Sequence, residues 1–244
     1  MVALFSRRLH RAWEFTPGQP IWRLHPPVNK RIIGEVRDVE ARQATFFALD
    51  AVTGSCLWRD RELHDAWWVA IERVAGDKLV LHGFSSPDSP VLHGATVVDI
   101  PGGTVVWSNR EWTGNESELR DAGVDLSAVS IGEDTLFPIP CDPHGQEKAG
   151  YAFLSRWPIN ELAGALDFAG CGRYTIVAAH IKTGSGDTTG LMHVLRVHDT
   201  ESGNVVYEDT LAAAAKGLAP DAFFVQGGVL YYLRERKTLC AVKL

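Results

Sequence analysis

The chain has 244 residues, and its 24 basic and 30 acidic side chains give a formal net charge of −6. An acidic chain without a basic block is a poor match for nucleic acid or for an anionic membrane surface, so neither is expected as a partner. No segment approaches the roughly 18 consecutive apolar residues of a membrane-spanning helix, and the 45% of hydrophobic residues, with eight tryptophans, suffice for a large core.

The N-terminus and the cysteines predict a cytoplasmic protein. Residues 1–8 lack the apolar core of a secretory signal. Cys56, Cys141, Cys171 and Cys240 are scattered without paired spacing, which is typical of free thiols in a reducing compartment.

The first predicted element is a strand over Arg8–Phe15 that contains Trp13. Trp13 is followed nine residues later by Trp22, just as Trp58 is followed nine residues later by Trp67. This shared spacing indicates that Trp13 and Trp58 occupy equivalent positions in a repeated unit.

Three segments further along the chain share one pattern: an apolar strand, an aspartate, three residues, a glycine, three residues and an aromatic. They are Ala48–Trp58, Val97–Trp107 and Val197–Tyr207, and their aspartates are 49 and 100 residues apart. A period of about 50 residues is typical of a repeated supersecondary unit.

Each copy predicts a β-hairpin whose turn runs from the aspartate to the glycine. The aspartate side chain can accept hydrogen bonds from backbone N–H groups within the turn, and the glycine can adopt the positive φ that a tight hairpin requires. The aromatic then lies on the second strand, where it is large enough to wedge between neighbouring sheets.

The segments between these copies are less regular. Trp157 lies 50 residues after Trp107 and 50 before Tyr207, so it is interpreted as the aromatic of a further copy, although the turn signature is missing. Capping residues and helix formers predict short helices over Asn115–Arg120 and Thr210–Lys216.

The C-terminal strands complete the pattern. Strands are predicted over residues 222–225, 229–234 and 238–243, and the 37 residues after Tyr207 add to the first 13 to make one more period. We therefore expect an all-β propeller of about five four-stranded blades, as a single domain over residues 1–244, closed by pairing the N-terminal strand with the C-terminal blade. Four or six blades remain compatible with the spacing.

The segment Ala48–Trp58 resembles the repeat of the quinoprotein-like (PQQ-like) β-propellers, in which an Ala-Leu-Asp strand, a Thr-Gly turn and a tryptophan recur. The whole chain, including the Trp67–Trp68 pair, is similar to an uncharacterised bacterial family of cytoplasmic-looking proteins, a resemblance that implies no activity. The quinone-dependent dehydrogenases of the larger class use eight blades, a calcium ion and a disulfide between adjacent cysteines. This chain has only isolated cysteines and is too short for eight such blades, so no cofactor is expected.

A candidate binding face follows from the loops. The long connections at residues 85–90, 141–148 and 182–190 are expected on one face of the propeller, and loops on a rigid scaffold commonly carry function. Aromatic starts of inner strands would lie at the same face. The candidate ligand-binding residues are Trp22, Arg23, Trp67, Trp68, Asp88, Asp142, His144 and Asp187.

Metal ligation has little support in the sequence. Cys141 and His144, and likewise His193 and His198, have ligand-like spacing, but neither pair is joined by a second one, so no metal is expected. We expect a non-enzymatic binding or interaction scaffold for an unknown protein or small molecule. The alternative is a carbohydrate-active enzyme or sugar-binding protein that uses Asp88, Asp142 and Asp187 as carboxylates and Trp67 or Trp68 as a platform.

Overall fold

The computed structural model describes residues 8–61, 67–84, 91–128, 131–132, 134–143, 157–184, 190–219 and 221–244. These residues form an all-β fold of antiparallel sheets. Contacts between residues divide the chain into two compact units, here named unit A (Thr16–Glu133) and unit B (the residues up to Phe15 together with Asp134–Leu244). Within the described ranges, no helix has the length and apolar character that crossing a membrane would need.

Several strands carry runs of consecutive buried positions, such as residues 32–36, 176–181 and 238–242, as expected for sheets that are covered on both faces. In chain order the strands are β1 (Arg11–Phe15), β2 (Ile21–Val28), β3 (Arg31–Asp38), β4 (Gln43–Asp50), β5 (Cys56–Arg61), β6 (Val69–Ala75), β7 (Lys78–Phe84), β8 (Leu92–Asp99), β9 (Thr104–Asn109), β10 (Ile139–Cys141), β11 (Leu166–Cys171), β12 (Tyr174–Thr183), β13 (Gly190–Asp199), β14 (Val205–Ala212), β15 (Phe223–Gln226), β16 (Val229–Arg234) and β17 (Thr238–Lys243).

Unit A contains two four-stranded sheets in which each strand pairs with the next along the chain. Sheet 1 has the order β2-β3-β4-β5, and sheet 2 has the order β6-β7-β8-β9. One core cluster joins them, because Ile33, Phe46 and Trp58 of sheet 1 are buried together with Ile71 and Leu81 of sheet 2. This up-and-down order is the one predicted for a propeller blade.

A short helix, α1 (Glu116–Asp121), follows sheet 2 and confirms the helix predicted there. The Asn115 side chain caps its N-terminus by accepting a hydrogen bond from the Ser117 N–H at 3.1 Å. Its buried Leu119 lies in a cluster with Trp112 and Val97 and so covers part of sheet 2.

Unit B contains a five-stranded sheet 3, ordered β10-β11-β12-β13-β14, and a four-stranded sheet 4, ordered β15-β16-β17-β1. In sheet 4 the first strand of the chain pairs with the last, with Trp13 opposite Ala241 and Phe15 opposite Leu239. The predicted pairing of the N-terminal strand with the C-terminal blade is therefore confirmed, as are the three C-terminal strands. The described residues form four sheets in all, compared with about five expected.

The repeated aspartate–glycine turns have the predicted geometry. Asp50 Oδ1 accepts hydrogen bonds from the Val52 N–H at 3.0 Å and the Thr53 N–H at 2.8 Å. Gly54 follows with a φ of 72° and donates its N–H to the Asp50 carbonyl at 2.8 Å. The turns that begin at Asp99 and Asp199 repeat the arrangement, each with a positive-φ glycine four residues on that donates to the aspartate carbonyl.

The aromatics of two repeats reach the following sheet, as predicted. Trp58 of sheet 1 donates from Nε1 to the Ile100 carbonyl in the turn between β8 and β9 of sheet 2, and Tyr207 of sheet 3 shares a hydrogen bond with the Tyr232 hydroxyl of sheet 4 at 2.6 Å. Trp107 differs, because it is only partly buried and packs beside the cluster that covers sheet 2.

Two other predicted elements differ from the structure. The helix expected over Thr210–Lys216 is wrong, because Thr210 pairs with Val194 in strand β14 and bends follow it. Trp157 lies in a bend before a 3-10 helix (Ile159–Glu161) rather than in a strand, although it is buried beside Leu162. Its interpretation as the strand aromatic of a further repeat is therefore wrong.

Candidate functional site

The predicted binding residues divide between the two units. Asp88, His144 and Asp187 lie outside the described residues, and Asp142 is exposed at the end of β10 in unit B. The carboxylate cluster is thus not brought together by what the structure describes. The remaining four candidates, Trp22, Arg23, Trp67 and Trp68, all lie in unit A, at the starts of β2 and β6.

Two of these tryptophans hold an arginine that the sequence did not single out. The Arg37 guanidinium carbon lies 5.5 Å from the Trp22 ring centroid and 5.0 Å from the Trp67 ring centroid. Both distances are within the range of cation–π attraction. Trp22, Arg37 and Trp67, here named the Trp–Arg–Trp stack, therefore join the end of sheet 1 to the start of sheet 2.

Hydrogen bonds fix the arginine at the centre of this stack. Arg37 donates from Nε to Glu35 Oε1 at 2.6 Å, from Nη1 to the Trp67 carbonyl at 3.0 Å and from Nη2 to the Val69 carbonyl at 2.8 Å. Glu35 is only 1% exposed, and a buried carboxylate requires such a partner. The guanidinium is thus held in one orientation by both sheets.

Arg23 and Trp68 make further contacts in the same region. Arg23 donates from Nη1 to the Ile71 carbonyl of β6 at 2.7 Å. The Trp68 ring meets the Trp67 ring edge-on at 6.3 Å, and the Trp68 carbonyl accepts the Phe84 N–H at 2.9 Å. Trp22 stays 56% exposed, so one indole is offered to solvent beside a rigid framework.

A cavity of about 250 Å³ opens at the same end of sheet 2. It lies where β6 and β8 begin and where β7 and β9 end, and Val69 is shared between its lining and the contacts of Arg37. The lining residues are Val69, Leu81, Gly83, His93, Gly94, Ala95, Thr96, Ser108, Asn109 and Arg110.

The lining combines an apolar floor with a polar rim. Val69 and Leu81 form the floor and are buried in the core cluster shared with sheet 1, whereas His93 and Arg110 are exposed. The hydroxyls of Thr96 and Ser108 lie 3.2 Å apart and share a hydrogen bond. Apolar surface with a few convergent polar groups is typical of small-molecule sites.

Two glycines let the strands approach closely at this cavity. A Cβ on Gly83 would lie 2.5 Å from the His93 carbonyl oxygen, a distance that the backbone could not tolerate. Gly94 has a φ of 84°, and a Cβ there would lie 3.1 Å from the Arg110 carbonyl oxygen. Glycine at both positions therefore sets the backbone from which His93 and Arg110 project.

The sequence analysis missed Arg37, His93 and Arg110. One signal was present, because a glycine within a strand often marks a bulge or a close approach of backbones, and Gly83 and Gly94 lie within β7 and β8. The position of Arg37 had no such signal, since its neighbours come from different strands.

The histidine pair with ligand-like spacing contacts other rings. His193 stacks on His180 of the neighbouring strand at a centroid distance of 3.9 Å, and His198 lies beside the Trp157 ring at 6.5 Å. Burial lowers the pKa of His193 to about 3, with a smaller contribution from the neighbouring His180. Within the described ranges, no group of three or more histidine, cysteine or acidic side chains is placed to hold a metal ion.

Comparison with known proteins gives one family match. Residues 27–107 match the family described as Domain of unknown function (DUF4905), and this segment contains most of sheet 1, the Trp–Arg–Trp stack apart from Trp22, and sheet 2 up to Trp107. No curated protein matches the chain.

Solved structures match weakly over much of the chain. The quinohemoprotein alcohol dehydrogenase ADHIIG from Pseudomonas putida HK5 is 15% identical, with a TM-score of 0.26, over 85% of this chain and 32% of that one. A europium-containing methanol dehydrogenase is 13% identical, with a TM-score of 0.24, over 94% of this chain and 52% of that one. The chain thus spans a third to a half of these enzymes' lengths, and the TM-scores are too low for either to bear on its activity or cofactor.

Proposed function

We propose that the protein is a non-enzymatic binding scaffold whose binding surface is the end of unit A that carries the Trp–Arg–Trp stack and the 250 Å³ cavity. The observation that carries this proposal is the cavity itself, which lies directly beside a stack held rigid by hydrogen bonds. Binding to a preformed site avoids the cost of ordering side chains on association.

The contacts around the cavity support a binding role. Arg37 donates hydrogen bonds to Glu35 and to two backbone carbonyls. The role of this pair is therefore to fix the cavity wall formed by Val69. The Thr96 and Ser108 hydroxyls and the exposed His93 and Arg110 side chains then present donors toward a ligand on a fixed backbone. Such an arrangement binds a ligand without converting it chemically.

A ligand screen tests the proposal directly. We would titrate the full chain, labelled with nitrogen-15, with a panel of small metabolites and sugars, and follow the backbone amides by NMR. At least one compound should shift the amides of Gly94, Thr96 and Ser108. A panel that shifts none of these amides would contradict the proposal.

A pair of variants on β9 provides the control. Ser108→Phe places a ring in the cavity and should abolish binding, whereas Val105→Phe places the same ring at an exposed position outside the lining and should leave binding intact. Equal binding by both variants would place the ligand elsewhere.

One observation favours the carbohydrate alternative. Trp22 exposes 56% of its surface at this end of sheet 1, and an exposed indole face is a suitable platform for a sugar ring. If sugars in the panel bind, and Trp22→Ala removes that binding while Trp112→Phe does not, the scaffold is a sugar-binding one.

A further inference from the structure

We propose that the cavity of sheet 2 binds a compact organic anion: a carboxylate or phosphate group attached to a short apolar body. This inference rests on the proposed function, because it names the ligand class for the same site. Charge, hydrogen-bonding groups and volume each point to this class.

The charge of the lining is the first argument. The ten described residues of the lining include His93 and Arg110 and no aspartate or glutamate, in a chain whose formal net charge is −6. Glu118, an acidic side chain connected to the lining through Asn109, accepts hydrogen bonds from Asn109 at 2.8 Å and from Asn115 at 3.1 Å. The described part of the lining is therefore basic on an acidic protein.

The second argument concerns the ion pairing of Arg110. Other arginines of unit A already have carboxylate partners: Arg31 pairs with Asp77 at 2.7 Å, and Arg73 pairs with Glu72 at 2.8 Å. Among the residues that the structure describes, no acidic side chain pairs with Arg110. A guanidinium at a cavity rim without such a partner can form charge-assisted hydrogen bonds to an incoming carboxylate or phosphate.

The Thr96 and Ser108 hydroxyls supply a second hydrogen-bond donor for the anion. Thr96 and Ser108 share one hydrogen bond at 3.2 Å, so whichever hydroxyl donates to the other leaves the second O–H proton available. Thr96 is opposite Ser108 in the sheet register, and Arg110 follows the end of β9, two residues after Ser108. The available hydroxyl and Arg110 can both donate to one anionic group.

The volume of the cavity and its apolar floor limit the size and polarity of the rest of the ligand. A cavity of about 250 Å³ lies below the usual range for drug-sized ligands, which starts near 300 Å³. Its floor is formed by the apolar side chains of Val69 and Leu81, so the body of the ligand is short and apolar. A short-chain carboxylic acid and a small phosphate monoester both satisfy these requirements.

The test uses matched probes on the full chain. Butyrate and butyramide have nearly the same shape and differ in charge, and inorganic phosphate tests the second anionic head group. We expect butyrate or phosphate to shift the amides of Gly94, Thr96 and Ser108, and butyramide to bind about tenfold more weakly, as expected when a charge-assisted hydrogen bond is lost. Binding by phosphate but not butyrate would assign the site to phosphate monoesters, and the reverse would assign it to carboxylic acids.

Variants separate this inference from the proposed function. Arg110→Gln should weaken binding of the anion about tenfold, while Arg120→Gln, an exposed arginine of α1 outside this lining, should leave it unchanged. If butyramide binds as well as butyrate, or Arg110→Gln has no effect, the anion preference is wrong although the scaffold stands. If no probe and no member of the wider panel shifts the lining amides, both proposals fail.

Discussion

The Trp58 indole donates a hydrogen bond from Nε1 to the Ile100 carbonyl at 2.6 Å, and it packs so closely on Gly103 that a Cβ there would lie 2.6 Å from the ring. One side chain of sheet 1 therefore contacts the turn of sheet 2 through both its polar and its apolar surfaces. The tight contact explains why glycine is needed at that turn position for steric as well as conformational reasons.

Trp58→Ala should destabilise the protein by about 3 to 5 kcal/mol, because it empties a buried aromatic site and leaves the Ile100 carbonyl without its donor. Urea unfolding of the variant and the wild-type chain measures this difference. Trp58→Phe keeps most of the volume and should cost less than Trp58→Ala. A loss below about 1 kcal/mol for Trp58→Ala would show that the ring does not join the two sheets.

Trp107→Ala should cost clearly less than Trp58→Ala, about 1 to 2 kcal/mol, because Trp107 is only partly buried. The two variants should be compared under identical denaturation conditions. Equal losses would mean that Trp107 contributes to the core as fully as Trp58.

Asp50→Ala should destabilise unit A by about 1 kcal/mol, because it removes the acceptor of two backbone N–H groups and of the Thr53 hydroxyl. The Thr53 N–H, followed by the Thr53 hydroxyl, lowers the pKa of the Asp50 carboxyl. Since the lowered pKa means that the folded state favours the charged form, this stabilisation is present above the unfolded pKa and is lost as pH falls through the folded one. The advantage of wild type over Asp50→Asn should therefore shrink below about pH 4 in pH-dependent urea titrations.

Acid should destabilise unit B through the stacked His180–His193 pair. Both rings are buried, at 4% and 6% exposure, and burial lowers both pKa values, that of His193 to about 3. In the unfolded chain the pKa of His193 is near 6.5, so between these values the unfolded state binds a proton that the folded state does not. Stability is then complete above about pH 6.5 and falls as pH decreases, by about 1.4 kcal/mol per unit at most for each such group.

His193→Phe isolates this effect, because it keeps a ring against His180 and removes the titrating group. The variant should lose less stability than wild type between pH 6.5 and pH 4, as measured by denaturant midpoints. Burial raises the pKa of Asp167, which opposes acid destabilisation equally in both proteins. Identical pH profiles would show that the pair does not control acid sensitivity.

Tyr232→Phe should destabilise unit B by about 1 to 2 kcal/mol, because the Tyr232 hydroxyl bridges the Tyr207 hydroxyl at 2.6 Å and Asp209 Oδ2 at 2.5 Å. Tyr207→Phe removes one end of the same chain of hydrogen bonds. A double-mutant cycle measured by urea unfolding should give a coupling of at least about 0.5 kcal/mol, whereas strict additivity would contradict the bridge.

Local chemistry made much of the fold predictable. The Asp50 and Asp199 turns form as expected because aspartate and glycine act within four residues of sequence. The pairing of β1 with β17 followed from counting the repeat period. By contrast, the helix propensity of Ala212–Ala215 was overridden, since Thr210 pairs with Val194 in sheet 3.

The candidate site was only partly predictable for a related reason. The equal spacing of Trp13–Trp22 and Trp58–Trp67 drew attention to the aromatics. Arg37, however, acquires its role from Trp67 and Val69, which lie some 30 residues away on another sheet. Such a site is formed by residues from several strands that meet at one end of a sheet. The residue pattern along a single strand does not show which strands meet there.

The pairing of β1 with β17 has a consequence for folding during translation, because β1 is synthesised long before the strand with which it pairs. Trp13 leaves the ribosome 228 residues before its partner Ala241, so β1 presents an unpaired edge until Ala241 has been synthesised. Unpaired edges invite pairing with other chains, and contacts between such distant residues form slowly. β1 carries two charged side chains, Arg11 and Glu14, beside Trp13 and Phe15, and Arg11 and Glu14 form an ion pair with one another. The same charges that would protect the nascent strand from aggregation thus become part of the finished sheet.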